Sequence, residues 1–134
     1  MKMKKYVLDS YAVLAYLYNE PGAEKVKEVL VHALNGKAEI FISMVSWAEV
    51  AYISKRKSGV GGWETASSSI RRLPIELVPA DIELANLAAE FKFKYRFSLA
   101  SAFVASLSKA KKAELLTGDP EFNELEKELS IKWI

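Results

Sequence analysis

Five short runs rich in β-branched and aromatic residues punctuate this chain: "KYVLD" (5–9), "EIFIS" (39–43), "IELVP" (75–79), "AELLTG" (113–118) and "IKWI" (131–134). They are nearly continuous apolar stretches, as expected of strands buried on both faces of a sheet. The stretches between them are helical in pattern. Val26, Val29, Leu30, Ala33 and Leu34 form one apolar stripe, and Leu84, Leu87, Ala88, Phe91 and Tyr95 form another, in a segment that Asp81 opens as a helix cap. "KSGVGGWETASSS" (57–69) is expected to break one helix and start the next, its glycines marking the most mobile loop. Strands alternating with helices imply right-handed crossovers and a parallel sheet covered on both sides. The expectation is a three-layer α/β/α fold. At 134 residues the chain suits one domain, 1–134, and is too short for two.

Composition excludes several classes. No apolar run reaches the roughly 18 residues that a membrane span takes. The basic start and apolar middle of "MKMKKYVLDSYAVLAYL" invite a signal-peptide reading, but Asp9 interrupts the run and no small-residue cleavage site follows. Cysteine is absent, which excludes disulfides and thiolate metal sites and fits a cytoplasmic protein. Glutamine is absent too while Lys and Glu abound, a composition that leans toward a thermophilic source. Net charge is +2, with basic residues clustered at 2–5, 55–57, 71–72, 92–96 and 109–112. Such clusters suit nucleic-acid phosphates, and they equally suit helix C-termini, where cations complement the dipole.

In open parallel sheets, ligands bind beyond the carboxyl ends of the strands. Asp9 follows the first run, Glu49 lies in "SMVSWAE" after the second, and Asp119 lies in "TGDPEF" after the fourth. Carboxylates gathered at one edge suit Mg2+ or Mn2+, hard ions that accept few protein ligands and keep several waters. Each acid also has a purely structural reading. Ser46 and Glu49 have the spacing of a capping box. Asp119 before Pro120 is a common helix opening. Asp9 or Ser10 could cap the apolar helix that follows, although a carboxylate buried there is costly without a partner.

"YVLDSYAVLAYLYNEPG", "ISMVSWAEVAYISKRKSG" and "FSLASAFVASLSKAKKAELLTGDPEF" together resemble the PIN-domain family, in particular the VapC-type toxins of toxin–antitoxin modules. The resemblance runs through essentially the whole chain. It implies a metal-dependent ribonuclease fold with parallel strand order 3-2-1-4-5, placing the first and fourth strands side by side. It also implies a four-acid cluster, of which Asp9, Glu49 and Asp119 match three positions. The remaining acid is expected early in the helix before the fourth strand, where the family pattern resembles "LSLADAF". This chain reads "FSLASAF", with Ser101 in that place. With Ser98 as N-cap, Ser101 is the third helical residue, the position also expected for Glu49 in its own helix. Ser101 would hold a metal-bound water or bond only to its own first turn. Glu121 is the nearest acid that could substitute.

Ser46 and Thr117 resemble polar positions lining the family's pocket. Lys55, Arg56, Lys57, Lys92, Lys94 and Arg96 are candidate RNA phosphate contacts. His32 reads as a surface residue, and Trp47, Tyr52, Trp63 and Phe97 as core or dimer contacts. The leading functional expectation is a Mg2+- or Mn2+-dependent endoribonuclease, the toxin of a toxin–antitoxin module, with RNA as substrate, an antitoxin as partner and a second copy as dimer mate. The alternative is a degenerate PIN domain that binds RNA or antitoxin and cuts weakly or not at all, because of Ser101. A phospho-acceptor receiver domain shares the size and sheet class, but Asp9 is followed by Ser10 rather than a second acid and no lysine follows the fifth run.

Overall fold

The computed structural model describes residues 3–134, so Lys2 of the first basic cluster lies outside the described residues. The order of elements is β1 (Lys4–Leu8), α1 (Ser10–Leu17), α2 (Ala23–Leu34), β2 (Ala38–Ser43), α3 (Met44–Arg71), β3 (Ile75–Val78), α4 (Ile82–Lys94), α5 (Leu99–Lys111), β4 (Glu114–Thr117), a 3-10 segment (Pro120–Lys127) and β5 (Ile131–Trp133). The five strands form one sheet in the order β3-β2-β1-β4-β5, and every pairing is parallel. The central pairs register Val7 with Phe41 and Leu8 with Leu116.

Alternation along the central strands divides the core in two. Tyr6, Leu8, Ile40, Ile42 and Leu116 pack with α1, α2 and α3 on one face. Val7, Phe41, Leu115 and Val78 pack with α4, α5 and the 3-10 segment on the other, where Phe91, Phe97, Phe122 and Leu125 fill the layer. The α2 stripe is buried at Val26, Val29 and Leu30, but Leu34 is exposed because it ends the helix after the packed face has turned away. In α4 the expected stripe faces the core, with Ala88 and Phe91 buried, and Asp81 caps the helix through the Leu84 N–H at 2.9 Å.

The glycine-rich stretch forms no loop. The helical run from Met44 to Arg71 is interrupted at one residue, Gly59, with φ 74° and ψ 175°. That conformation is essentially open to glycine alone, and a side chain there costs about 1–3 kcal/mol. Beyond the break, Trp63 is buried and meets Trp47 edge-on at 5.1 Å between ring centroids. Gly59→Ala should therefore lower stability in urea unfolding by about 1–3 kcal/mol. Gly61→Ala, at a helical glycine with open space around it, should be neutral or stabilising. Equal effects from the two would show that the break carries no strain. No helix among the described residues is long and apolar enough to cross a membrane.

Candidate active site

The pairing of Leu8 with Leu116 brings the residues just beyond them, Asp9 and Thr117, together at the carboxyl edge of the sheet. Asp9 is the N-cap of α1: one carboxylate oxygen accepts from the Ala12 N–H at 2.9 Å, and the other accepts from the Thr117 hydroxyl. The cap and the acid are thus the same residue, and each oxygen keeps a free lone pair. Asp9 is only 4% exposed. Burial pushes its carboxyl up to about 7, against the two hydrogen bonds that favour the charged form. The negative charges of Asp119 and Glu49 push it further the same way, so both acids act on Asp9 through space.

Thr117 also ties Asp9 to Asp119, because its hydroxyl oxygen accepts from the Asp119 N–H at 3.0 Å. Asp119 caps the 3-10 segment, accepting from the Glu121 N–H at 2.9 Å, with Pro120 in the first position as the sequence suggests. Between them, Gly118 lies under the ring of Tyr11, where an added Cβ would stand 2.3 Å from a ring carbon. Sequence reasoning missed this contact; its only signal is the glycine within "TGDP".

Glu49 departs from its expected position. Ser43, the last residue of β2, is the N-cap of α3, its hydroxyl accepting from the Val45 N–H at 3.1 Å. Ser46 is therefore the third helical residue and Glu49 lies one turn further in, so the Ser46–Glu49 capping box does not form. Glu49 is half-buried and left available as an acid. Ser46 is fully buried and its hydroxyl has no partner among the described residues.

Ser101 is buried, and the cap at Ser98 forms as expected, its hydroxyl oxygen accepting from the Ser101 N–H at 3.1 Å. Ser101 does more than bond to its own turn. Its hydroxyl donates to Glu121 at 2.8 Å, and the other oxygen of Glu121 accepts from the Ser98 N–H. The N-termini of α1, α3 and α5 and of the 3-10 segment all open at this edge, so their dipoles favour the negative charge collected there.

Among the described residues no lysine or arginine pairs with Asp9, Glu49, Asp119 or Glu121. No group of three or more acidic or histidine side chains among them is arranged to hold an ion as it stands. A buried carboxylate facing two like charges, a buried hydroxyl without a partner and the all-oxygen donor set nevertheless fit a hard divalent ion. Mg2+ is ordinarily held by one or two carboxylates and waters rather than by a closed protein cage. Asp9 and Asp119 are the residues that would hold it, with Glu49 beside them.

The candidate phosphate contacts are all exposed but differ in their engagements. Lys92 donates to the Phe97 carbonyl at 2.9 Å, Lys94 pairs with Glu128 at 3.7 Å, and Lys57 pairs with Glu20 at 3.5 Å while lying over the Tyr18 ring. Arg56 donates to the Tyr52 hydroxyl at 2.7 Å. Lys55 and Arg96 have no side-chain partner among the described residues. Arg56 lies seven residues after Glu49 and so shares its face of α3. Tyr52, between them, is 59% exposed and is not a core residue, since it lies on the solvent side of α3; Trp63 and Phe97 are buried and Trp47 is partly so. His32 is exposed, as expected.

A family model described as PIN domain matches residues 6–128. No curated protein matches the sequence. Among solved structures, VapBC2 of Rickettsia felis bound to a DNA fragment from its promoter aligns with a TM-score of 0.77 at 16% identity, over 96% of this chain and 97% of the other. DNA-bound VapBC of Salmonella typhimurium aligns at 0.76 and 18% identity, over 97% and 98% of the two chains. The sarcin–ricin-loop-cleaving toxin VapC20 of Mycobacterium tuberculosis aligns at 0.72 and 13% identity, over 90% and 94%. At such identities the likeness is one of fold. Through its match to the family model over most of its length, from Tyr6 to Glu128, this chain belongs to the PIN domain family.

Proposed function

We propose that this protein is a Mg2+- or Mn2+-dependent endoribonuclease and the toxin of a toxin–antitoxin pair. The observation that carries the reading is the acidic cluster at the carboxyl edge, where Asp9 is buried under the field of Asp119 and Glu49. When bound there, the ion supplies charge neutralisation for phosphoryl oxygens and acidifies a water. Asp9 and Asp119 would hold it, the Asp9 carboxylate oriented by the Thr117 hydroxyl and the Ala12 N–H and that of Asp119 by the Glu121 N–H. Glu49, free of any cap role, orients and takes the proton of the water that attacks phosphorus. The P–O bond opposite that water breaks, and the departing oxygen takes up a proton. The substrate is single-stranded or looped RNA, whose backbone bends into such an edge, with Arg56, Lys55 and Arg96 the basic residues best placed to meet phosphates. The partners are an antitoxin that occludes the acidic edge and a second copy of the chain. Support for the antitoxin comes from the fold shared with VapBC complexes, and support for RNA from VapC20, a toxin that cleaves the sarcin–ricin loop. Cleavage of a labelled RNA should fall at least ~100-fold in Asp119→Asn and Glu49→Gln alike. Wild-type rates in both variants would remove the acidic edge from the chemistry.

A second reading rests on Ser101. If the missing acid leaves the site too weak, the protein binds RNA or antitoxin without cutting. Wild-type protein that binds RNA but leaves it intact at saturating Mn2+, while Ser101→Asp cuts it, would select this reading.

A further inference from the structure

Gly118 separates Thr117 from Asp119, and backbone conformation does not explain why it is a glycine. Its φ lies outside the left-handed region that Gly22, Gly36 and Gly59 occupy. What excludes a side chain there is Tyr11. A Cβ on Gly118 would stand 2.3 Å from Cε1, 2.6 Å from Cζ and 2.9 Å from the hydroxyl oxygen of that ring. Tyr11 thus reaches from the first turn of α1 to the turn after β4, and its tip rests on the backbone between Thr117 and Asp119. Seated at both ends, the ring is held beside the two acids, yet 41% of Tyr11 stays exposed. The buried residues of α1 are Ala12, Val13 and Ala15, so this ring is not what packs the helix on the sheet. Tyr18 and Tyr52 each carry a cation over the ring, Lys57 at 4.3 Å and Arg56 at 5.7 Å. Among the described residues neither a cation nor another ring lies over Tyr11.

We propose that Tyr11 is the stacking residue of the substrate site, its open face receiving the nucleobase next to the phosphate that is cut. The proposal rests on the reading of this edge as a ribonuclease site. Every base has a π-face, so a fixed aromatic ring binds single-stranded RNA without reading its sequence. A ring already held in place loses little freedom when the base arrives. It also sets the register, because a base seated on Tyr11 fixes which phosphate lies against Asp9, Glu49 and Asp119. Lysine and arginine contacts to the backbone carry no such information about position along a strand of uniform charge. Tyr11 supplies it.

The test is steady-state cleavage of a labelled single-stranded RNA by the full chain with Mn2+, for wild type, Tyr11→Phe, Tyr11→Leu and Asp9→Asn. Mn2+ affinity is measured by titration calorimetry alongside. Tyr11→Leu keeps an apolar side chain against Gly118 but cannot stack, so KM should rise about 10-fold. Tyr11→Phe, which keeps the ring, should stay near wild type. A second set of RNAs carries one abasic nucleotide at each position in turn around the cut. At one position the abasic RNA should cost wild type as much as Tyr11→Leu does, and cost Tyr11→Leu nothing further. That non-additivity identifies the base on the ring. A ring that only wedges the turn would instead show in the Mn2+ affinity of Tyr11→Leu, because Asp119 follows Gly118, and every abasic loss would add to the substitution. That pattern, or a wild-type KM in Tyr11→Leu, would overturn the assignment and leave the nuclease reading standing. RNA cleavage that survives in Asp9→Asn would bring down the nuclease reading, and this inference with it.

Discussion

Asp9→Asn is expected to abolish metal-dependent RNA cleavage and, in the same protein, to stabilise the metal-free fold above neutral pH. The cleavage loss should be at least ~100-fold, since changing even an outer partner of a metal commonly costs 10–100-fold. The stability gain follows from the raised carboxyl. Folded Asp9 titrates at about 7, against an ordinary 3.8, because it is buried and faces two like charges. The folded state therefore holds its proton more tightly than the unfolded state does. The penalty for ionising Asp9 in the fold is absent below about pH 4, grows as pH rises, and is complete above about pH 7. Its size is on the order of 4 kcal/mol, as an upper bound. Asparagine cannot ionise, and its oxygen still accepts from the Ala12 N–H. Urea unfolding of the metal-free proteins should thus show the variant ahead of wild type at pH 8, with the difference vanishing by pH 4. Added Mn2+ should stabilise wild type and not the variant. A wild-type protein as stable at pH 8 as at pH 5 without metal would show that Asp9 is already compensated.

Phe122→Ala should be the most damaging core substitution for the site. Phe122 is 1% exposed and meets Phe97 edge-on at 6.1 Å between ring centroids. It directly follows Glu121, three residues after Asp119, and with Leu125 anchors the 3-10 segment, a helix type whose hydrogen bonds are generally of poorer geometry. Truncation should cost about 3–5 kcal/mol, a large part of the total stability of a domain this size. It should also weaken Mn2+ binding, because both acids lose their footing. Phe122→Leu, which keeps most of the packing, should retain both properties better. A loss under about 1 kcal/mol for Phe122→Ala would mean that the segment is held by something other than this ring.

The sheet was legible because its central strands are buried apolar runs, and Asp9 and Asp119 stood out as carboxylates just beyond two of them, where each also caps the segment that follows. Glu49 was found as an acid and misplaced on its helix. "SMVS" offers two serines three residues apart, and the one that ends β2 became the cap because it leaves the sheet in extended conformation. The glycines at 59, 61 and 62 announced a break without saying which of them would take it. Of the two readings given to Tyr52, core or dimer contact, its exposure removes the first, because its half of α3 packs one face and leaves the other to solvent. Glu121 was named as the nearest acid to Ser101, but the direct bond between the two could not be read from the pattern. The residues are twenty positions apart, and only the path from α5 through β4 to the segment after it brings them together.

The measurement that bears most directly on the central claim is cleavage of an end-labelled, single-stranded RNA by the full chain, stripped of metal with EDTA and then returned to excess Mn2+. Cleavage should stop in EDTA and recover with Mn2+ in wild type, and should stay absent in Asp9→Asn. Cleavage that persists in EDTA, or that proceeds equally in Asp9→Asn, would contradict that claim.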